Sequence, residues 1–512
     1  MYTPIALFTI MGIASVLGAI AIFTRLPDDH PHKNPQLSLA NRLFGIDLRS
    51  LAFFRVALGS MVISDILHRI PDMTAHYTDQ GILPRADLIS KFLGKWILSL
   101  HMWNGTEVGV TLIFGFTIFC GICLLMGYRT KLFTFLCWLL IISLHGRNHM
   151  VLQAGDVLFR LLLFWAMFLP IGARFSVDSA LNSNADSDPP PRRILTIAGL
   201  AILIQTGLVY VFSAAMKTHA HWWPNGEAVY LAISIDHFAT PVAHFLLNYP
   251  QVMKYLTLST FLLEWAGAFF LFIPVFTGPI RIGLVLAFWG LHVGFGATLL
   301  IGMFVFVSAA SWIPYIPSYF WDRIAYAWEK RRSSAVQIFY DGECNFCAKG
   351  VRLLKTFLIL PKAELLTGQS SEDISKLMDK ENSWVVVTPD GKRYLRSKAV
   401  TELVRRSLLF WPLALILGLS PIQALTGFMY RHVASNRAVF SILTRPFKMR
   451  PLKWKPSLIS KILATCFLII VLIWNFANLK ADKKFTPEPL LRAHKEMVKY
   501  KRNLKPLVYS IR

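Results

Sequence analysis

The chain has 512 residues, of which 54% are hydrophobic and 16% are charged, and its formal net charge is +24. This apolar composition excludes an ordinary soluble globular protein and indicates that much of the chain faces lipid. The basic residues are spread over loops between apolar stretches, where they set membrane topology, so we predict no nucleic-acid partner. Six cysteines are too few for a disulfide scaffold in a chain of this length.

Ten apolar stretches are long enough to cross a bilayer core of about 30 Å. They lie at 4–24, 51–66, 109–127, 131–146, 151–171, 195–215, 256–276, 281–299, 302–318 and 457–477. The first is preceded only by uncharged residues and lacks a small-residue cleavage site, so we interpret it as a retained anchor. The sequence therefore predicts a multi-pass α-helical bundle in the cell membrane, surrounded by membrane lipid.

The distribution of basic residues predicts how this bundle is oriented. Short loops rich in arginine and lysine are expected in the cytosol. Here they contain Arg129, Lys131, Arg174, Arg192, Arg193, Arg281 and the run 330–332. Alternation of the spans then places the 216–255 loop outside and residues 319–455 in the cytosol. The same alternation places the basic tail after 477 outside, although the excess of positive charge would favour the cytosol. An alternative in which the 407–422 run also enters the membrane stays open.

Changes in composition divide the chain into three parts. A polar, proline-rich linker at 182–193 separates the apolar part into two groups of helices. After Trp328 the apolar stretches give way to mixed strand and helix patterns. We predict a membrane bundle at 1–330, an α/β soluble domain at 334–450 inserted before the last span, and a final span with a basic tail at 451–512.

Two cysteines of the soluble domain have the spacing of a redox pair. The β-prone residues 336–340 continue through Asp341 into Cys344-Asn-Phe-Cys347 and a helical stretch that ends near Leu358. The positive end of a helix stabilises a thiolate, so Cys344 is the predicted nucleophile. Cys347 lies one turn later on the same face, where it would resolve a mixed disulfide. In the cytosol this dithiol would face a reducing compartment.

Two structural alternatives for the cysteine pair stay open. Half of a zinc site would need two further ligands, and the segment 334–450 offers only His432. The other alternative is a pair of inert buried thiols. Cys123, Cys137 and Cys466 lie in or beside apolar stretches without evident partner chemistry. We predict no bound metal.

A hairpin and a helix follow the dithiol segment. The residues 384–388 and 392–395 flank Pro389-Asp390-Gly391, which is a strong turn signal. Ser397 is then predicted to cap a helix that continues to about Arg406. The domain thus has a strand, helix, hairpin and helix in this order.

The segment 336–440 resembles the DCC family of thiol-disulfide oxidoreductases. The resemblance rests on Tyr-Asp-Gly-Glu-Cys-Asn-Phe-Cys at 340–347, on the hairpin, and on Tyr430-Arg-His-Val-Ala-Ser-Asn-Arg437. It implies a thioredoxin-like fold and a D-x-x-C-x-x-C motif that begins at Asp341. No X-Pro precedes the hairpin strand, so the cis-proline with which thioredoxins dock substrates is not identified. Asp341 either tunes the dithiol or caps the following helix.

Several ionisable residues lie inside apolar stretches, where they are costly. They are Arg55, Asp65, Asp156, Arg160, Glu264 and His292. Asp156 and Arg160 are four residues apart on one predicted helix, and we predict that they pair with each other. A structural ion pair or hydrogen bond inside the bundle is one explanation for each residue, and a functional site is the other.

The stretch 45–318 resembles vitamin K-dependent gamma-carboxylase and the wider HTTM family built on its membrane domain. The matching pieces are Asn148-His149, the Tyr210…Lys217…Trp222 segment, Leu263-Glu264-Trp-Ala-Gly267, and His292 followed by Ile301-Gly302-Met303-Phe304. The resemblance implies a second site of Lys217, His149, Glu264 and His292. In it, Lys217 acts as base on reduced vitamin K and His149 supports it. The chain has no counterpart of the large outer domain that binds the carboxylase's peptide substrate, which argues against carboxylation itself.

Alternatives stay open for this second site as well. Lys217 is either a desolvated neutral base or a lysine at a helix end whose ammonium reaches the interface. His219 and His221 alternate on the following loop and could bind a metal, but they lack a spaced third ligand.

The sequence leads to three functional hypotheses. The first is a membrane thiol-disulfide oxidoreductase that acts on a protein or small-molecule thiol or disulfide, with a quinone or quinol bound in its bundle. The second is a quinol-dependent modifying enzyme with Lys217 as base and an accessory dithiol domain. The third is a transport or binding module whose intramembrane charges follow a substrate path.

Overall fold

The computed structural model describes residues 38–91, 99–185, 187–331 and 335–478, most of them in helices. The helices before the linker are α1 (Leu39–Phe44), α2 (Leu48–Arg69), α3 (Met73–Tyr77), α4 (Arg85–Lys91), α5 (Glu107–Met126), α6 (Thr130–Arg147), α7 (Ala154–Phe168) and α8 (Val177–Ala180). Those after it are α9 (Ile197–Ala215), α10 (Ala228–Ile233), α11 (Pro241–Leu246), α12 (Pro250–Phe270), α13 (Thr277–Thr298), α14 (Phe304–Ser311) and α15 (Ser318–Arg331). The strands β1 (Ile46–Asp47) and β2 (Arg193–Ile194) pair antiparallel and connect the two groups.

Among the described residues, four bundle helices are long and apolar enough to cross a membrane by length and composition, namely α2, α5, α9 and α13. Helices α6, α7 and α12 also coincide with predicted stretches, although α12 begins earlier than expected, at Pro250. The stretch 302–318 is not one helix. Helix α14 ends at Ser311 and a 3₁₀ turn at Ile313–Tyr315 follows, because Pro314 has no N–H to continue an α-helix. The predicted span at 4–24 and the basic tail lie outside the described residues.

Close helix contacts hold the bundle together. Helix α2 packs along α5, and at Gly59 a Cβ atom would lie only 2.7 Å from the backbone nitrogen of Leu125. Such approaches matter in lipid, where van der Waals packing rather than the hydrophobic effect drives helix association. Large side chains, among them Trp165 and Trp312, fill the interior.

Buried charges near one end of the bundle form a network centred on Arg69. Its guanidinium contacts Asp65 Oδ1 at 2.9 Å, Asp156 Oδ1 at 3.1 Å and the hydroxyl of Tyr77 at 2.6 Å. Both carboxylates are almost fully buried. Asp156 thus pairs with a residue of another helix, and its predicted contact with Arg160 stays a prediction.

The C-terminal domain is built on a four-stranded mixed sheet in the order β4-β3-β5-β6. Its elements are β3 (Gln337–Tyr340), α16 (Asn345–Phe357), β4 (Glu364–Thr367), α17 (Glu372–Glu381), β5 (Val385–Val387), β6 (Arg393–Leu395), α18 (Arg396–Arg406), α19 (Leu413–Leu417), α20 (Ser420–Ser435) and α21 (Arg437–Leu443), and the chain continues into α22 (Leu458–Asn478). Strand β3 runs parallel to β4 and antiparallel to β5, which pairs antiparallel with β6.

The two faces of this sheet carry different helices. Successive residues of a strand point to opposite faces, and Ile338 of β3 joins a core with Val351 of α16 and Leu403 of α18. Its neighbour Phe339 joins a second core with Ile374 of α17. Helices α16 and α18 therefore cover one face, and α17 covers the other.

The predicted hairpin is confirmed and the predicted cap is wrong. Strands β5 and β6 pair, and Gly391 in their turn has φ +75°, a conformation that glycine adopts at no steric cost. Helix α18 begins one residue before Ser397, whose hydroxyl donates to Gln423 Oε1 at 3.2 Å. The hydroxyl of Ser383 instead accepts the N–H of Arg396 at 2.8 Å, so a residue from another segment satisfies this helix start.

Contacts with the linker fix the domain against the bundle. The dithiol helix α16 packs on α8, and Arg352 Nη1 donates to the carbonyl of Asn182 at 3.4 Å. The amide oxygen of Asn182 accepts the N–H of Leu452 at 2.9 Å. On the entry side, Trp328 Nε1 donates to the carbonyl of Arg406 at 3.2 Å. The domain is thus held where the chain enters it, where it leaves, and at the dithiol helix.

Candidate functional site

Cys344 occupies the N-cap of α16. Its backbone is extended (φ −87°, ψ 99°), and its Sγ accepts the N–H of Cys347 at 3.3 Å. Both cysteines are partly exposed free thiols. A sulfur at this position lies at the unpaired N–H groups of the first helical turn. The predicted strand, turn and CxxC at a helix start are all present.

Cys347 has a different environment from Cys344. Burial raises the pKa of Cys347 to about 12, and its contact with the Cys344 sulfur acts in the same direction. The guanidinium of Arg437 opposes this shift. Cys347 therefore keeps its proton at neutral pH, as a resolving thiol does before the nucleophile has reacted.

Asp341 shapes the turn between β3 and the dithiol. Its Oδ1 accepts the N–H of Glu343 at 3.0 Å and the Nε2 of Gln369 at 3.4 Å. It is not the helix cap, because Cys344 takes that position. Its negative charge contributes to the raised pKa of Cys347, so it acts on the dithiol electrostatically.

A cavity of about 590 Å³ opens beside the dithiol. Cys347 lies in its wall together with Tyr340, Trp384, Tyr430 and Arg437. The indole Nε1 of Trp384 is buried and has no hydrogen-bond partner among the described residues. The wall also contains the carboxylates of Asp341, Glu343 and Asp379, and its aromatic side chains suit a ligand with apolar groups.

The Tyr430…Arg437 segment holds the loop before β5 at the dithiol. The hydroxyl of Tyr430 accepts the N–H of Trp384 at 3.3 Å. Arg437 Nη2 donates to Asn382 Oδ1 at 2.7 Å and to its carbonyl at 3.2 Å. Asn382 ends α17 with φ +45°, a left-handed conformation that asparagine tolerates. Sequence reasoning singled out this segment but missed Asn382 and Trp384 as parts of the site.

The second predicted site brings Lys217 and Glu264 together. Lys217 Nζ donates to the Glu264 carboxylate and to Ser213 Oγ at 2.6 Å, and it lies 4.8 Å from the ring centroid of Trp222. Both charged side chains are largely buried. A carboxylate, a hydroxyl and an aromatic face thus surround the Lys217 amino group.

His292 belongs to a neighbouring polar chain in the bundle. Its Nε2 lies 2.7 Å from the hydroxyl of Tyr210, which also accepts the indole N–H of Trp312 at 2.9 Å. The Nδ1 of His292 is buried and forms no hydrogen bond within the part of the chain that the structure describes. A buried nitrogen of this kind is normally satisfied by a partner such as a water molecule or a ligand.

The remaining histidines considered in the sequence, His149, His219 and His221, have other surroundings. His149 follows the C-terminal end of α6, close enough to His145 to interact electrostatically, and its support of Lys217 stays a prediction. His221 Nδ1 contacts Glu227 Oε2 at 2.6 Å, and its ring stacks on that of His219. Within 38–91, 99–185, 187–331 and 335–478, no three His, Cys, Asp or Glu residues are grouped to hold a metal ion.

Two family models match the chain. An HTTM domain matches residues 45–318, and a DCC1-like thiol-disulfide oxidoreductase matches residues 338–442. No curated protein and no solved structure matches significantly. The HTTM match covers more than half of the chain and contains the apolar helices, as expected of a membrane protein. The chain therefore belongs to the HTTM-domain family, with a DCC1-like thiol-disulfide oxidoreductase domain fused after the membrane domain.

Proposed function

We propose that this protein is a membrane thiol-disulfide oxidoreductase that reacts through Cys344 and Cys347. The observation that carries the proposal is the Cys344 sulfur at the N-cap of α16, which accepts the N–H of Cys347 beside a cavity of about 590 Å³. A central strand that leads into a CxxC helix, flanked by a parallel strand and an antiparallel hairpin, supports a thioredoxin-like fold.

The reaction is an exchange of two electrons between sulfur atoms. The Cys344 thiolate attacks a substrate disulfide, forms a mixed disulfide and releases one substrate thiolate, which takes a proton from water. Cys347 loses its proton and attacks the Cys344 sulfur, so the second substrate thiol leaves and the Cys344–Cys347 disulfide remains. The substrate is then reduced and the protein is oxidised. The reverse sequence oxidises a dithiol substrate.

The membrane arrangement is part of the proposal. The chain has about ten membrane spans. The membrane bundle comprises residues 1–330, the dithiol domain comprises residues 334–450, and the final span with its basic tail comprises residues 451–512. The basic loops support a cytosolic location of the dithiol. The substrate is a protein or small-molecule thiol or disulfide, and the aromatic side chains of Tyr340, Trp384 and Tyr430 in the cavity wall favour one with apolar groups beside its sulfur atoms.

A redox titration of the full chain in detergent tests this function. We expect a reversible Cys344–Cys347 couple between about −120 and −300 mV in glutathione or dithiothreitol buffers. At pH 8 Cys344 should be alkylated first. Because burial raises the pKa of Cys347 to about 12, its own alkylation rate should rise about tenfold per pH unit up to that value.

Mass spectrometry of trapped thiols assigns each cysteine in this titration. If no disulfide forms at any potential, or if Cys347 reacts before Cys344, the proposed function is rejected.

A second candidate function uses the bundle site. Two observations in the bundle support a quinol-dependent reaction in which Lys217 is a base: the buried contact of Lys217 with Glu264, and the His292 Nδ1 that has no hydrogen-bond partner among the described residues. A bound quinol would supply reducing equivalents, and Lys217 and His292 would bind its oxygens. Proton abstraction by Lys217 requires that the ammonium first give its proton to Glu264 or to water.

The Lys217→Ala variant separates the two candidates. We expect it to abolish any activity that requires reduced vitamin K and to leave the potential of the dithiol unchanged, because the two sites are on different domains. Lys254→Ala, an exposed lysine on α12, is the matched control. Full quinol-dependent activity in Lys217→Ala would eliminate the second candidate. If both the Lys217→Ala and the Cys344→Ser variants still transport a substrate across the membrane of vesicles, the protein is a transporter.

A further inference from the structure

Helices α19, α20 and α21 expose large apolar side chains to an extent that is unusual for a soluble domain. Among these side chains, each more than half exposed, are Leu415, Leu419, Leu425, Phe428, Ile442 and Leu443. We call these three helices with their exposed side chains the apolar surface. Large exposed apolar areas on a folded domain mark a site of interaction with a protein or a membrane.

The charged residues on the three helices and in the segment that follows them are all basic. The sequence contains no acidic residue between Glu402 and Asp482. Arg431, Arg445 and Lys448 lie exposed on or beside the three helices. The partner must therefore be both apolar and anionic. A leaflet with anionic phospholipids has both properties, and helices that combine an apolar face with basic residues bind such leaflets.

Helix α21, which is part of the apolar surface, lies on the side of the domain that meets the bundle. Helix α21 packs on the dithiol helix α16, which itself packs on α8 of the bundle. Just after α21, the ring of Phe447 lies 5.0 Å from that of Tyr128, whose hydroxyl donates to the carbonyl of Pro446 at 3.2 Å. Tyr128 follows the end of α5, a helix long and apolar enough to span. The end of α21 is thus at the membrane boundary.

We propose that the apolar surface is embedded in the headgroup region of the leaflet at the basic end of the bundle. Phe428 and its apolar neighbours would lie against the upper acyl chains, and Arg431, Arg445 and Lys448 would contact lipid phosphates. The ligand is an anionic phospholipid surface. This goes beyond the redox function, because it requires neither the dithiol nor a substrate.

Photo-crosslinking of the full chain in vesicles tests the proposal. The variant Phe428→p-benzoylphenylalanine places a photoreactive group on the apolar surface. Lys376→p-benzoylphenylalanine is the matched control, since Lys376 is exposed on α17, across the sheet from α16 and α18. The vesicles contain phosphatidylcholine alone or with phosphatidylglycerol. We expect a covalent lipid adduct at position 428 that increases with phosphatidylglycerol, and none above background at position 376.

Removal of charge gives the second arm. The substitutions Arg431→Gln and Arg445→Gln are introduced into the Phe428→p-benzoylphenylalanine variant. Each should lower the yield of the phosphatidylglycerol-dependent lipid adduct about fivefold. All these positions are exposed, and an unchanged dithiol potential with a monodisperse gel-filtration peak verifies folding. Equal adduct at 428 and 376, equal adduct in the two vesicle types, or a crosslink from 428 to a second copy of the chain would each overturn the proposal.

Discussion

Replacing Cys344 by serine is expected to abolish disulfide exchange, with a fall in kcat/KM of about 10³-fold or more, the order seen when a covalent nucleophile is removed. A serine hydroxyl at the N-cap keeps the hydrogen bond to the helix but cannot form a disulfide. The measurement is the reduction of a fluorescent glutathione disulfide by the full chain in detergent, with dithiothreitol as the reductant.

Two companion variants make this result specific. Cys347→Ser should retain the first attack and accumulate a mixed disulfide on Cys344, visible as an added glutathione mass. Cys466→Ser, an exposed cysteine of α22, should behave as the unmodified protein. Substantial turnover in Cys344→Ser, or a glutathione adduct on Cys347 instead of Cys344, would contradict the assignment of the nucleophile.

Replacing Arg69 by methionine is expected to destabilise the bundle by about 3–5 kcal/mol, because breaking a buried ion pair leaves a charge without compensation. Arg69 is the shared partner of Asp65 and Asp156, whose side chains are only 4% and 5% exposed. The second oxygen of Asp65 has no hydrogen-bond partner in the described part of the chain. Denaturant unfolding of the full chain in detergent measures this loss in the free energy of unfolding.

The control for this variant is an arginine pair in a more open place. Arg85→Met breaks the contact of Arg85 with Asp79, whose side chain is 37% exposed, and we expect a loss of only about 0–1 kcal/mol because solvent screens the pair. The double variant Arg69→Met with Asp65→Asn should recover part of the loss. A similar stability for Arg69→Met and Arg85→Met would show that the Arg69 network is not structural.

Local chemistry made much of the dithiol domain predictable. The strand before the dithiol and the helix from Cys344 to near Leu358 follow from residue alternation and the cysteine spacing, and the hairpin follows from Pro-Asp-Gly. Strand β4 and helix α17 were missed. The residues of β4 are only partly buried at the sheet edge, so they lack the apolar alternation that marks a strand.

Partners across the bundle were not predictable from the sequence. Spacing along one helix suggested Arg160 as a partner of Asp156, but it could not show that Arg69 also reaches Asp156 from α2. The buried Arg55 gave no hint of its role either; it donates to the backbone carbonyls of Ile171, Arg174 and Phe175. Such contacts depend on how distant helices pack, and periodicity in the sequence contains no information on that packing.

The attachment of the dithiol domain at three places limits the directions from which a partner can reach it. The chain enters through α15 and leaves toward α22, and Asn182 joins the linker to both Arg352 and Leu452. A domain held in this way cannot rotate freely to meet a diffusing molecule. A partner in the same membrane would search in two dimensions at a high effective concentration and would present its sulfur atoms at a constant height. The geometry therefore favours a membrane-associated redox partner over a freely soluble one.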